Sequence, residues 1–262
     1  MKPLNPKFGS FNNKNIWIIG ASSGIGEACT KLFSAQGANL IISGRRVDAL
    51  EAISASYSTS NSAIKVIPMD VNDEDSVNTA SQQVNEQWQR IDLLLFVSGI
   101  YEPIRADKFV FSKVFKTINT NLLGPMRVLE KALPRFLSQG NGHIAIVSSV
   151  AGYSGLPKSL AYGPTKAALI NFLEALYYDL SPKGIGVHLI SPGFVATPAT
   201  AQNDFEMPAL ITPEAAALYI AKGLSNGDFD IHFPKRFTLF LKFLRLLPYR
   251  LYFWILKTFI KI

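Results

Sequence analysis

Three residues in the stretch 143–166 combine side-chain types and spacing suited to proton transfer: Ser149, Tyr162 and Lys166. Tyr162 and Lys166 are four apart, which places them on one face of a helix. At about 4 Å and an effective dielectric constant near 20, an ammonium group attracts a phenolate by on the order of 4 kcal/mol before desolvation. We therefore expect Lys166 to lower the pKa of Tyr162 from about 10, so that Tyr162 acts as general acid and base. Ser149 would donate a hydrogen bond to the substrate oxygen.

Tyr and Lys four residues apart also occur as ordinary surface pairs, so this interpretation depends on the surrounding elements. Amphipathic segments at 73–88, 112–137 and 160–180 predict helices, and apolar runs predict strands at 15–19, 39–43, 63–69, 91–97, 142–148, 185–190 and 229–233. We expect an α/β protein with a single Rossmann-like, doubly wound seven-stranded parallel sheet and helices on both faces. Ligands bind beyond the carboxyl ends of such strands, where five residues should converge: Gly20, Ser98, Ser149, Pro192 and Gly193.

A glycine-rich loop follows the first strand. Gly20, Gly24 and Gly26 lie in the run G-A-S-S-G-I-G, ahead of a helical pattern and a second strand. Such a unit presents main-chain N–H groups and a helix N-terminus to a phosphate. We predict a dinucleotide site that includes Ser22, Ser23 and Ile25, and the alternative is a tight turn alone.

Arg45 and Arg46 follow the second strand. A carboxylate at this position is typical of NAD sites, whereas an arginine suits the 2′-phosphate of NADP. The sequence thus favours NADP(H), and the alternative is two solvated arginines in a loop.

The 262-residue length, with 48% hydrophobic and 17% charged residues, indicates a globular protein with a sizeable core. The polar start has no apolar stretch of signal-peptide length, so we expect a cytoplasmic protein. Cys29 is the single cysteine and should fill space on the inner face of a helix. No metal is expected, because the three histidines lack metal-ligand spacing: His143, His188 and His232.

The net charge of +7 is confined to the C-terminal end. Residues 231–262 contain seven of the 26 basic residues and no acidic residue, which leaves 19 basic and 19 acidic residues elsewhere. A balanced body argues against a broad nucleic-acid surface, so no nucleic-acid partner is expected.

We divide the chain into a domain at 1–234 and an amphipathic extension at 235–262. The extension is apolar and aromatic, is interrupted by Pro248, and carries narrow basic stripes: Lys242, Arg245, Arg250, Lys257 and Lys261. Its uncharged runs are shorter than the roughly 20 residues that span a bilayer. Either it lies on the inner membrane face as a peripheral anchor, or it packs on the body or on a second subunit of a homo-oligomer.

Over residues 12–233, these motifs resemble the short-chain dehydrogenase/reductase family. The family's T-G-x-x-x-G-x-G motif appears with Ile19 in place of threonine, its N-L-x-G as 121–124, and its P-G-x-x-x-T as 192–197. The resemblance implies four catalytic residues: Asn121, Ser149, Tyr162 and Lys166. It also implies cofactor contacts from the glycine loop and from Arg45, Asp70, Val71, Ser98, Gly99, Asn121, Tyr162, Lys166, Pro192, Gly193, Val195 and Thr197.

The resemblance further implies hydride transfer between the nicotinamide of NADP(H) and a carbonyl or secondary alcohol. Lys166 would also hold the nicotinamide ribose, and Asn121 would hold a water that relays protons to Lys166. Where the family usually shows N-N-A-G, this chain has Phe96-Val97-Ser98-Gly99, so packing must replace amide hydrogen bonds. That replacement motivates an alternative, a noncatalytic NADP-binding module that engages a membrane or protein partner through its tail.

The segment 194–211 contains few charges and several apolar residues: Phe194, Phe205, Met207, Pro208 and Leu210. It is interpreted either as an apolar lid over a hydrophobic or lipid-like substrate, or as a loop that packs on the helix beginning near Pro213. Further candidate pocket residues are Tyr101, Tyr153 and Leu156.

Overall fold

The computed structural model describes residues 2–60 and 62–259. Seven parallel strands form one sheet in the order β3-β2-β1-β4-β5-β6-β7. Their bounds are β1 Asn15–Ile19, β2 Asn39–Ser43, β3 Ile64–Val66, β4 Leu93–Phe96, β5 Gly142–Val147, β6 Ile185–Pro192 and β7 Asp230–Phe233. The chain order reverses between β1 and β4, where Ile19 pairs with Ser43 on one side and with Phe96 on the other. A doubly wound sheet binds ligands at such a reversal.

Helices cover both faces of this sheet. Their bounds are α1 Gly24–Ala35, α2 Val47–Tyr57, α3 Glu74–Gln87, α4 Phe111–Ile118, α5 Gly124–Gln139, α6 Tyr162–Leu180, α7 Pro213–Asn226, α8 Lys235–Arg245 and α9 Tyr249–Phe259. Strand side chains alternate, so Ile18 packs into one core with Cys29 of α1, and Trp17 into the other with Leu173 of α6. The predicted fold is confirmed, as is the space-filling role of Cys29.

The helical segment predicted at 112–137 is present, but its interior is not a regular α-helix, because a π-helical segment, Asn119–Leu123, joins α4 to α5. Pro125 follows this segment. Proline has no N–H, so it cannot donate the α-helical bond to the carbonyl of Asn121. Strand ends also differ from the prediction: β3 is shorter than 63–69, and β6 extends to Pro192.

The C-terminal helices α8 and α9 fold back on the body. Leu244, Tyr252 and Leu256 are buried there, and the Tyr252 hydroxyl donates to the Gly155 carbonyl at 2.7 Å. Within residues 2–60 and 62–259, no helix has the length and apolar character needed to cross a membrane. Lys261, the last residue of the predicted basic stripe, lies outside the described residues.

Candidate active site

A cavity of about 1440 Å³ lies beyond the carboxyl ends of the strands. Its wall combines the loops after β1, β2, β3, β4, β5 and β6 with the start of α6 and one side of α8 and α9. The volume exceeds the roughly 300–1,000 Å³ of a typical single-ligand site. The cavity therefore has room for a dinucleotide and a substrate together.

The glycine loop forms one end of the cavity. Gly20 has a φ of +90°, and a Cβ there would overlap the main chain of Ser98. Gly24 has a φ of +60°, and its Cβ would lie 2.9 Å from Cγ2 of Thr197. These glycines therefore let the loops after β1, β4 and β6 approach closely. Gly26 is buried behind the loop, where a Cβ would overlap the Gly20 carbonyl, so its role is packing of α1.

The two arginines after β2 occupy the same end of the cavity. Arg46 Nη2 donates to the Ser22 carbonyl at 2.9 Å and lies 3.1 Å from Ser22 Oγ. Arg45 also lines the cavity and is exposed. Arg46 therefore joins the end of β2 to the glycine loop, and Arg45 adds a second basic residue to this end of the cavity wall.

Asp70 and Val71 line the cavity next to this end. Asp70 Oδ1 accepts hydrogen bonds from the main-chain and side-chain nitrogens of Asn72, each at 3.0 Å. Asn72 Oδ1 in turn accepts from Asn119 Nδ2 at 3.0 Å and from Thr120 Oγ1 at 2.9 Å. This network holds the loop after β3 against the π-helical segment.

The predicted catalytic side chains meet where β5 ends and α6 begins. Ser149 follows β5, and its Oγ accepts a hydrogen bond from the Ala151 N–H at 3.1 Å. Tyr162 is the first residue of α6, and Lys166 follows on the same face with Nζ 5.5 Å from the Tyr162 ring centroid. Lys166 Nζ donates to the Val147 carbonyl at 2.9 Å, and the Tyr101 ring packs edge-on against Tyr162.

The direction of the Tyr162 pKa shift differs from the prediction. Burial raises the pKa of Tyr162 to about 12, and the Ser149 hydroxyl opposes this rise by hydrogen bonding. Burial also lowers the pKa of Lys166 to about 8. The predicted effect of Lys166 on Tyr162 is wrong here, because its ammonium group bonds to Val147 and lies beside the ring, while desolvation of the phenolate dominates.

Asn121 is fully buried just behind the cavity wall, in the π-helical segment. Its Oδ1 accepts from the Ile100 N–H and its Nδ2 donates to the Ile100 carbonyl, both at 2.8 Å. A Cβ on Gly99 would lie 3.4 Å from Asn121 Oδ1 and 3.6 Å from Lys166 Nζ. Asn121 therefore fixes the loop after β4 beside Lys166.

Phe96, at the unusual family position, is 1% exposed and packs in the core. The main-chain nitrogens of Val97 and Ser98 donate to the Ile19 carbonyl at 2.8 and 3.0 Å. Ser98 and Gly99 line the cavity, as do Pro192, Gly193, Val195 and Thr197. Apolar packing and main-chain hydrogen bonds thus hold this loop without asparagine side chains.

Aromatic and aliphatic side chains form another part of the cavity wall. Of the predicted substrate residues, Tyr101, Leu156, Phe194, Phe205 and Pro208 line it. Met207, Leu210 and Tyr153 do not, and the prediction of Tyr153 as a pocket residue is wrong. Its buried hydroxyl faces Ser191 and Asp230.

Sequence reasoning missed part of this apolar wall. Six residues of the tail line the cavity: Phe237, Phe240, Leu241, Leu244, Ile255 and Leu256. The amphipathic pattern of the tail indicates which side chains share a face, but gives no sign that the face meets the cavity.

The three histidines lie away from the cavity wall. His143 Nδ1 and His188 Nε2 are 3.0 Å apart in stacked, buried rings, and burial lowers the pKa of His143 to about 3 and that of His188 to about 4. His232 Nδ1 lies 2.6 Å from Thr238 Oγ1 of α8. Among the described residues, no three His, Cys, Asp or Glu side chains form a metal-binding group.

Comparison with known proteins identifies the family to which this chain belongs. The family model for short chain dehydrogenase matches residues 14–207. An uncharacterized oxidoreductase from Myxococcus xanthus (strain DK1622) is 30% identical over 231 residues, which cover 88% of this chain and 91% of the relative. The chain belongs to the short chain dehydrogenase family. The family resemblance predicted from the motifs is confirmed.

Solved structures of similar fold include a short-chain dehydrogenase from Sphingobium yanoikuyae in complex with NADPH. The two structures superpose with a TM-score of 0.78 at 23% sequence identity. The matched region covers 84% of this short chain dehydrogenase and 88% of that chain. A 3-ketoacyl-(acyl-carrier-protein) reductase from Brucella melitensis complexed with NADH has a TM-score of 0.78 at 22% identity, covering 86% and 98%. The family match ends at residue 207, so α8 and α9 lie beyond it.

Proposed function

We propose that this short chain dehydrogenase is an NADP(H)-dependent oxidoreductase that transfers a hydride between the nicotinamide and a carbonyl or secondary alcohol. The observation that carries the proposal is the meeting of Ser149, Tyr162 and Lys166 on a cavity that the glycine loop also lines. The cofactor, when bound, supplies or accepts the hydride. The residues of the chain bind it, orient the substrate and move the proton.

The polar end of the cavity fits the dinucleotide. Main-chain groups of the loop 20–25 and the N-terminus of α1 suit a pyrophosphate. Arg45 and Arg46 at the end of β2 suit a 2′-phosphate, which a carboxylate there would repel. The fold likeness does not choose between the cofactors, because one structural neighbour is complexed with NADPH and another with NADH. The arginines therefore carry the preference for NADP(H).

Tyr162 is the proton donor in the direction of carbonyl reduction. With a pKa raised to about 12, the phenol keeps its proton at neutral pH, the state in which it protonates a carbonyl oxygen. Ser149 would stabilise the developing charge on that oxygen by hydrogen bonding. Lys166, beside the Tyr162 ring and next to Gly99, would hold the nicotinamide ribose, and Asn121 would organise proton relay to it.

The noncatalytic alternative has less support. A module that only binds NADP needs no serine and tyrosine side by side at the cavity wall. It also has no need of a buried lysine with a strongly shifted pKa, a feature that concentrates at functional sites. The Phe96 replacement, which motivated this alternative, leaves the loop after β4 intact.

We also propose that the substrate is hydrophobic and that the outer side of the tail rests on an anionic bilayer, at its cytoplasmic surface. This outer face consists of exposed apolar side chains: Leu239, Phe243, Leu246, Tyr249, Leu251, Phe253 and Trp254. Exposed basic residues flank it: Arg236, Arg245, Arg250 and Lys257. Aromatic, apolar and basic side chains together suit a membrane interface. A second subunit is the competing occupant of this outer face.

The proposed reaction is tested by incubating the protein with NADPH and a panel of aliphatic, steroid and acyl carbonyl compounds. We expect loss of nicotinamide absorbance with at least one compound, and slower loss with NADH in place of NADPH. Tight NADPH binding without consumption of any carbonyl, or of the matching alcohols with NADP⁺, would favour the noncatalytic module.

A further inference from the structure

The side of α8 and α9 that faces the body forms a continuous apolar wall of the cavity. Leu241 and Leu244 of α8 and Ile255 and Leu256 of α9 line it. Leu244 is 2% exposed and Leu256 is 6% exposed, and both pack with Leu156 from the segment after Ser149. The tail thus shares a hydrophobic cluster with the segment that leads to the catalytic residues.

Polar contacts fix this inner wall to the body. The Tyr252 hydroxyl donates to the Gly155 carbonyl at 2.7 Å, which holds α9 to the segment after Ser149. Lys242 forms an ion pair with Asp230 of β7, and Thr238 Oγ1 bonds with His232 Nδ1 at 2.6 Å. The inner wall therefore has defined anchors at both helices and is a built part of the cavity.

A row of aromatic rings connects the wall to the strand ends. Phe205 packs on Phe194 with ring centroids 5.7 Å apart, and Phe194 on Phe237 of α8 at 5.8 Å. A Cβ on Gly193 would lie 3.0 Å from Cδ1 of Phe237. One turn further along α8, Phe240 lines the cavity and is 51% exposed. The wall thus extends from the strand-end loop out to the cavity mouth.

Among residues 2–60 and 62–259, the charged residues that line the cavity all come from segments other than the tail. The six tail residues on the wall are all uncharged and apolar. The charged residues of the cavity wall are Arg45, Arg46, Asp70, Arg105, Lys158, Lys166, Asp204 and Glu206. A substrate with its carbonyl at Ser149 and Tyr162 would place an apolar portion along the tail.

We infer that the inner face of α8 and α9 binds an aliphatic chain attached to the reacting carbon and so sets the chain-length preference of the enzyme. The inference rests on the proposed function for the reaction. It adds the class of substrate, an open-chain aliphatic carbonyl compound, and assigns the specificity to residues beyond the family match.

The inference is tested with straight-chain methyl ketones, from butanone to dodecanone, and NADPH. Each methylene that the wall buries should raise kcat/KM about fourfold until the wall is filled. Leu241→Trp places a large ring in the space that the chain needs, so the ratio of kcat/KM for dodecanone to that for butanone should fall about tenfold or more. Leu218 is an exposed residue of α7, so Leu218→Trp is the matched control. This variant should keep the wild-type ratio of kcat/KM for dodecanone to that for butanone.

A binding experiment separates failure of the wall from failure of the proposed reaction. The fluorescent straight-chain probe cis-parinaric acid should bind the wild type in the presence of NADPH, and Leu241→Trp should weaken it about tenfold. If the probe behaves in this way but no ketone is reduced, the wall stands and the proposed reaction fails. Equal probe binding by both variants, no binding to the wild type, or a preference for a steroid ketone over every chain would overturn the inference.

Discussion

At the glycine-loop end of the cavity, glycines bring the main chain of neighbouring loops together, whereas the described part of the tail contributes only aliphatic and aromatic side chains to the wall. The first end depends on Gly20 and Gly24, where a Cβ would overlap or crowd Ser98 and Thr197. The second depends on apolar volume, supplied by residues such as Leu241 and Leu256. Main-chain sites need particular residues at fixed spacing, while an apolar wall tolerates many side chains of similar volume. The glycine-loop end should therefore be intolerant of substitution, whereas the tail end should accept other apolar residues of similar volume.

Substitution of Tyr162, between the two ends of the cavity, should give the largest loss of activity. Tyr162→Phe removes the transferable proton and keeps the ring, so kcat should fall by about 10²- to 10⁴-fold, the usual contribution of a general acid. NADPH affinity, measured by fluorescence titration, should stay near the wild-type value. Tyr178→Phe, on the exposed side of the same helix, is the matched control. Substantial residual turnover in the Tyr162 variant would mean that another group supplies the proton.

The cofactor end is tested by Arg45→Asp. The change removes a cation from the proposed 2′-phosphate site and adds a repelling carboxylate, so a charge-assisted contact of about 1.5–3 kcal/mol is lost. We expect the preference for NADPH over NADH to fall by about 10- to 100-fold. The measurement is the ratio of the two dissociation constants.

Two further measurements test whether the effect of Arg45→Asp is confined to the proposed 2′-phosphate site. The chain-length profile of Arg45→Asp should match that of the wild type, because the tail wall is the other end of the cavity. Lys222→Asp, an exposed basic position on α7, should leave the cofactor ratio unchanged. An unchanged ratio in Arg45→Asp would support the alternative of a solvated arginine.

The contrast between the two ends also explains what the sequence could predict. Glycine positions, and Tyr162 one turn before Lys166, follow from main-chain geometry and helix periodicity, both of which are visible in the chain. The sign of the Tyr162 pKa shift depends on burial by residues distant in sequence, so spacing alone predicts the wrong direction. The π-helical segment at Asn121 has one readable signal, Pro125, which removes an α-helical donor.

The tail shows the same limit for packing. Its amphipathic pattern sorts residues onto faces, but the partner of each face is decided by tertiary structure. Leu244 faces the cavity and Leu246 is 81% exposed, although both are leucines two positions apart. The pattern alone therefore offers membrane contact and self-packing as alternatives for the whole tail, whereas in the structure its inner face packs on the body and its outer face is exposed.

Lys166, between the two ends, should reduce stability at neutral pH. Its pKa is lowered from 10.5 to about 8 by burial, so the folded state disfavours the charged form. This cost is full below about pH 8, where both states are protonated, and disappears as the pH rises past 10.5. A shift of this size is worth about 3 kcal/mol, and the hydrogen bond to Val147 returns about 1 kcal/mol.

Lys166→Met should therefore raise the free energy of unfolding by about 2 kcal/mol at pH 7, with the gain shrinking towards pH 10. The measurement is denaturant unfolding across this pH range, with Lys222→Met as the exposed control. Destabilisation at pH 7, or a difference that does not vary with pH, would show that burial of the charge carries no such cost.

The smallest expected effect concerns the outer face of the tail. Removing the tail after Pro234 would test it poorly, because the truncation also uncovers the body beneath Leu244 and Leu256. Arg245→Gln and Arg250→Gln change exposed positions only, and each should weaken partitioning onto anionic vesicles about fivefold, since a basic residue near such a surface contributes about 1 kcal/mol. Lys222→Gln should bind anionic vesicles like the wild type. Each of these proteins should bind neutral vesicles more weakly than anionic vesicles. If the wild type does not bind anionic vesicles and instead forms a dimer that Phe243→Ser disrupts, the outer face is a subunit contact.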